Sequence, residues 1–133
     1  MGLDNGIYVK SNVRKLTRDM LPAALVYPFD GNDTHICYWR KCWGLRNEIL
    51  NTLGTRFKEE NENTEIETIE QVKDLLEVIW YFLDEDHWED EGNSIWEYEH
   101  FFRTLRDDFM NLLIMIDFMK KNPDVYLVFY DSY

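Results

Sequence analysis

The chain's 133 residues, 45% apolar and 16% aromatic, suffice for one self-supporting core and exclude intrinsic disorder. A formal net charge of −12 opposes a phosphate backbone, so direct nucleic-acid binding is not expected; such acidity either steers the protein toward a basic partner or serves only to keep it soluble. No apolar run reaches the ~18 residues of a membrane span. Residues 1–10 lack the basic-then-apolar pattern of a secretion signal, so a cytoplasmic protein is expected.

In chain order, "NGIYVKS" (5–11) sets Ile7 and Val9 against Tyr8 and Lys10, which predicts a short strand over 6–10. The polar, basic segment 12–20 reads as one or two helical turns. Two prolines and a Gly-Asn-Asp cluster make 21–34 an irregular connection. "HICYWRKCW" (35–43) opens a helix predicted over 35–53, with Gly54 as its C-terminal cap. On such a helix Ile36, Trp39, Trp43 and Leu50 form one apolar stripe, and Tyr38, Cys42, Leu45 and Ile49 an adjoining one. Arg40, Gly44, Asn47 and Asn51 share the opposite, polar face, with Lys41 beside them. A glycine inside a helix marks a close approach of backbone to something, here either a packed element or a polar groove.

After a polar loop, Thr64 and Glu67 read as a capping box that opens a second helix to Leu83, burying Ile66, Ile69, Val72, Leu76, Ile79 and Leu83. The acidic stretch "DEDHWEDEGN" (84–93) breaks it. Ser94 and Glu97 form a second capping box, and a third helix runs to Lys121, where Asn122-Pro123 stops it. Its segment "NLLIMIDFM" is apolar nearly all round, which points to burial on both sides and makes a homodimer interface one reading. "DVYLVFYDSY" (124–133) is a Val-, Tyr- and Phe-rich strand. Each terminal strand needs a partner for its backbone, and the simplest solution pairs 6–10 with 125–130 antiparallel. The expected fold is therefore α+β, a single domain over 1–133, with three main helices packed on a small antiparallel sheet formed by the N- and C-terminal strands.

Chemistry-bearing motifs are sparse. Cys37 and Cys42 leave a shared helix on different faces, so they are read as buried thiols without disulfide or zinc. Six carboxylates surround His87 and Trp88, but the glycine falls in the wrong register for a calcium loop, leaving a solvated acidic loop. His35, His87 and His100 have no paired-ligand spacing. No nucleophile elbow, phosphate loop or dinucleotide fingerprint occurs, so no catalytic residue, metal or cofactor is assigned.

"MGLD" at the start, "YWRK" at 38–41 and the Tyr/Phe-rich segment ending in "DSY" resemble a group of small phage and prophage proteins that begin Met-Gly-Leu-Asp and carry a YWRK helix. That resemblance implies a phage or mobile-element context in a bacterial cytoplasm, and no activity. Two functional readings stand beside each other. One is a protein–protein interaction module for a basic host or phage protein. The other is a small polar-ligand or enzymatic domain using the Arg40, Asn47 and Asn51 face, with Lys41 adjacent, since Arg and Asn recognise phosphates and carboxylates well. Antiparallel terminal strands would also bring Asp4 beside Asp131, Ser132 and Tyr133. Such an acidic corner requires a cation, and Asp4 is expected to pair with Arg40.

Overall fold

The computed structural model describes residues 4–28, 34–40, 42–54, 63–84, 87 and 95–132, and the side chains of all of these except 95–103. The strands are β1 (Asp4–Ser11), β2 (His35–Arg40), β3 (Thr64–Ile66) and β4 (Val125–Ser132). The helices are α1 (Trp43–Thr52), α2 (Ile69–Phe82) and α3 (Ile95–Lys121), with a short 3₁₀ turn at Arg18–Met20. The four strands form one antiparallel sheet in the order β2-β1-β4-β3. The two terminal strands pair as expected, in register from Asp4 opposite Ser132 to Ser11 opposite Val125. The fold is thus α+β, with the terminal strands at the centre of the sheet and two more strands outside them.

Alternation along the strands sorts the sheet into two faces. Ile7 and Val9 of β1, Cys37 and Trp39 of β2, Ile66 of β3, and Val125, Leu127 and Phe129 of β4 point inward and join one core cluster. The helices supply Leu45, Ile49, Val72, Leu75, Ile79, Phe82, Leu105, Leu112 and Met115 to that cluster. Each fully buried large aliphatic or aromatic side chain contributes about 1.5–3 kcal/mol. The outward positions Asp4, Tyr8, Lys10, Tyr38, Arg40, Tyr126, Tyr130 and Ser132 are half-buried or exposed. Val128 is buried on this face as well, and so is Gly6, between Asp4 and Tyr8. A Cβ there would lie 2.5 Å from both the Cys37 carbonyl oxygen and the Tyr130 ring, so only glycine lets that ring lie against the strand.

Two expected helix boundaries are corrected. Residues 35–40 are strand β2, and the helix starts only at Trp43. The apolar stripes drawn across 36–50 joined a strand to a helix. Ile36, Cys37, Tyr38 and Trp39 are β-formers, and the buried central strand β1 needs a hydrogen-bonding partner on each side. Trp43, assigned to the core stripe, is 43% exposed. Likewise Thr64 opens strand β3 rather than a helix. The capping box is one turn later, where Thr68 accepts from the Gln71 amide at 3.1 Å and Gln71 accepts from the Thr68 amide at 3.0 Å. Gly54 follows α1 at φ +74°, the left-handed position that favours glycine. The Ser94–Glu97 box lies outside the described side chains.

Buried polar groups fasten α3 to the sheet. Between Ile7 opposite Cys37 and Tyr8 opposite His35 the register slips, leaving Ile36 as an extra, bulged residue. Its carbonyl accepts from the fully buried Asn111 amide of α3 at 2.9 Å. The same side chain donates to the Val26 carbonyl and accepts from the Val26 amide, so it takes the place of a neighbouring strand for the irregular 21–28 segment. One turn earlier, Asp108 accepts from the Trp39 indole at 2.7 Å, with the Cys37 thiol beside it. Burial without a cation pushes this carboxyl well above its ordinary range, and burial together with Asp108 pushes the Cys37 thiol up as well.

A pH dependence follows from Asp108. In the unfolded chain it ionises near its ordinary value, whereas the folded protein keeps the proton to higher pH. Folding therefore takes up a proton above about pH 4, and stability falls by ~1.4 kcal/mol per pH unit until the folded carboxyl ionises. In Asp108→Asn the amide oxygen still accepts from Trp39 and carries no titration. Urea unfolding between pH 5 and 8 should give a shallower decline for the variant than for the parent chain. Parallel curves would contradict the assignment.

Candidate functional site

The acidic corner foreseen at the paired termini is divided between the two faces of the sheet, Asp4 pointing outward and Asp131 inward, and Tyr133 lies outside the described residues. Asp4 stands opposite Arg40 across β1 and β2, and opposite Ser132 across β1 and β4. Asp4 accepts from the Tyr38 hydroxyl at 2.7 Å, and Arg40 is exposed. Burial and the Asp4 carboxylate push the Tyr38 phenol up to about 12. The ion pair is made one layer inward by Arg46 of α1. It grips Asp131 with two bonds, Nε to Oδ1 at 2.9 Å and an Nη to Oδ2 at 2.8 Å. The two side chains keep only 11% and 2% of their exposure. Asn5 donates to the same carboxylate at 2.7 Å. Asp4 and Arg40 are thus cross-strand neighbours, as expected, but make no ion pair; the buried pair of this region is Arg46–Asp131 on the inner face, where the desolvated carboxylate takes a bidentate guanidinium.

The polar helix stripe assembles only in part, as Gly44, Asn47 and Asn51 of α1 without Arg40. Arg40 belongs to β2, so the spacing that put it in line with Gly44, Asn47 and Asn51 is interrupted by the strand-to-helix junction. Gly44 is the second residue of α1 and is buried. Asn47 accepts from Arg46, and so serves the ion pair, while Asn51 is exposed near the end of α1. Lys41 lies outside the described residues. Cys37 and Cys42 are buried free thiols. His87 stacks on Tyr81 at 4.0 Å with its Nδ1 2.9 Å from the Tyr81 carbonyl oxygen, a local closure of the α2 end. The rest of the acidic loop, Asp84 apart, lies outside the described residues. No group of metal-ligating side chains occurs among the described residues.

The outer side of the helix layer carries what the sequence reading missed. Trp80 of α2 is 68% exposed, and Met110 and Leu113 of α3 are 51% and 45% exposed. Trp80 leans on Phe109 with ring centroids 5.8 Å apart, and an open groove of about 670 Å³ runs between Trp80, Leu83, Phe109 and Met110, with Arg106 and Asp107 at its edge. Beside it, the solvent side of α2 and its flanks presents Glu67, Glu70, Asp74, Glu77 and Asp84. The one lysine on that stretch, Lys73, is paired with Glu70 at 3.4 Å. A second groove between α1 and α2 is edged by Glu48, Asp74 and Glu77. The signal was present in the sequence. Trp80 falls outside the Ile69, Val72, Leu76, Ile79 stripe, and a tryptophan off the core stripe is an exposed tryptophan.

Comparison with known proteins returned no matching family model, no matching curated protein and no matching solved structure. No described helix is long and apolar enough to cross a membrane.

The corner gives a direct pair of substitutions. Arg46→Ala leaves Asp131 buried without its cation and should cost about 3–5 kcal/mol. Arg40→Ala, at an exposed position, should cost under ~1 kcal/mol. Urea midpoints of the two variants check this. A larger loss for Arg40→Ala than for Arg46→Ala would restore Arg40 as the anchor.

Proposed function

We propose that this chain is a protein–protein interaction module of a phage or prophage type, working in a bacterial cytoplasm and binding a basic host or phage protein through its helix layer. The observation that carries this reading is the exposed Trp80 and Met110 on one groove, with Leu113 exposed one turn further along α3, next to an acidic helix flank. Exposed apolar clusters with a polar rim mark association surfaces, and tryptophan is the residue type most often energetically dominant in them. Glu77 lies one turn from Trp80, so an incoming apolar anchor would be flanked at once by carboxylates. A partner with lysine or arginine around an apolar knob complements both features, and the net charge of −12 steers such a partner in. A symmetric homodimer through the same face would set acid against acid, which disfavours it.

The test is capture from a bacterial host lysate at low and high salt, with the parent chain and with Trp80→Ala. We expect the parent to retain a basic protein at low salt and less of it at high salt. Trp80→Ala should weaken retention by about thirtyfold, the loss of ~2 kcal/mol typical of a central aromatic anchor. No specific partner under either condition, or unchanged capture by Trp80→Ala, would refute the reading. A concentration-dependent mass for the isolated chain, abolished by Trp80→Ala, would replace the heterologous partner with a second copy.

A further inference from the structure

On the opposite side of the molecule, the outer face of the sheet has its own charge order. From Asn5 to Arg18 the chain carries Lys10, Arg14, Lys15 and Arg18 and no acid, in a protein with 26 carboxylates to 14 lysines and arginines. Asp4 is at the other end of β1, roughly 20 Å from Lys10 at ~3.3 Å per residue. Beside the basic end opens a cleft of about 840 Å³, walled by Tyr8, Lys10, Lys15, Thr34, His35 and Tyr130. That is within the ~300–1,000 Å³ of small-molecule sites.

Three aromatic rings form one wall. His35 meets Tyr8 edge-on at 5.4 Å and Tyr130 edge-on at 5.2 Å, while Tyr8 and Tyr130 are 6.2 Å apart. All three are half-buried, so each keeps an open surface. The cluster closes because Gly6 lets the Tyr130 ring lie against β1. Burial lowers the His35 pKa and raises that of the Tyr130 phenol, so at neutral pH His35 is a neutral imidazole and Tyr130 a protonated phenol.

The cations differ in how they are held. Arg14 is committed to Asp124 at 3.1 Å and to Asn122, and Arg18 lies over the Tyr27 ring at 4.0 Å. Asp124 also accepts from Ser11 at 2.6 Å, so its charge is answered by neighbours. Lys10 and Lys15 have no ion-pair partner among the described residues.

We propose that this cleft binds a nucleoside monophosphate, its base against the Tyr8, His35 and Tyr130 wall and its phosphate between Lys10 and Lys15. Any π-face stacks on an aromatic wall, and aromatic stacking combined with lysine contact is how bases and phosphates are held together. Size selects against a longer polyanion. Charges beyond a Debye length of ~8 Å are screened, so one phosphate inside the cleft responds mainly to the two lysines. A phosphate backbone extending over the rest of the surface would run into the excess of carboxylates. The site is remote from Trp80 and does not depend on the helix-layer interface.

Amide chemical-shift titration tests it, with the four common nucleoside monophosphates, adenosine, inorganic phosphate and a short single-stranded oligonucleotide as probes. At least one mononucleotide should give saturable shifts confined to residues 8–16, 34, 35 and 130. Adenosine and phosphate alone should each bind at least about tenfold more weakly, since each makes only half of the contacts. The double substitution Lys10→Ala with Lys15→Ala, and separately Tyr8→Ala, should each weaken binding about tenfold while leaving the amide peaks of α2 and α3 in place. No saturable shift with any mononucleotide, equal binding of inorganic phosphate alone, tighter binding of the oligonucleotide, or full affinity in the lysine double variant would each overturn it.

Discussion

The rest of the molecule depends on β1 being held on both edges. Residues 4–11 hydrogen-bond to β4, more than a hundred residues away in sequence, and to β2. A central strand has no edge left to solvate, so its backbone groups are satisfied only when both neighbours are present. Its inward side chains, Ile7 and Val9, have no exposure to lose and sit in the common core with Trp39, Leu127 and Phe129. The register that places Asn5 opposite Asp131 also brings Asp131 to Arg46, which ties the sheet to α1. The same register sets Gly6 beneath Tyr130 and so shapes the outer face.

Much of this was legible in the chain. The terminal strands were readable because each is rich in β-branched and aromatic residues and bounded by turn formers, and two such segments need each other. The end of α3 was readable from Asn122-Pro123, and the C-cap of α1 from Gly54. The junction at 40–42 was not. Periodicity in a window that crosses from strand to helix produces a false stripe, and no glycine or proline punctuates "YWRKCW" to expose it. Strand β3 is three residues long, below what a pattern can resolve, and its Thr64 imitates the cap that Thr68 provides.

The Arg40, Asn47 and Asn51 face was drawn on the same false helix. Arg40, Asn47 and Asn51 share a face only if 35–53 is one helix. The cation was expected because acids would crowd at one corner; Asp131 takes an arginine because it is buried. Choosing between Arg40 and Arg46 required knowing which face of the sheet α1 covers. Asn111 and Asp108 were unreadable because a lone polar residue in a long amphipathic helix looks solvated until the bulge at Ile36 and the indole of Trp39 are seen to meet it. Gly6 held a usable signal, because a glycine between strand residues marks a close approach.

The molecule presents two unlike faces. The helix layer is acidic with an apolar centre, and the outer sheet face is aromatic and locally basic at the far end of β1. Both surfaces exist only while β1 is clamped. Native-state amide hydrogen exchange examines that clamp directly. Amides of residues 7–9 and 127–129 should exchange only through global unfolding, with the same free energy that urea unfolding reports. Exchange of β4 amides through a smaller local opening, while α2 and α3 stay protected, would show that the helices hold together without the paired terminal strands and would contradict the account.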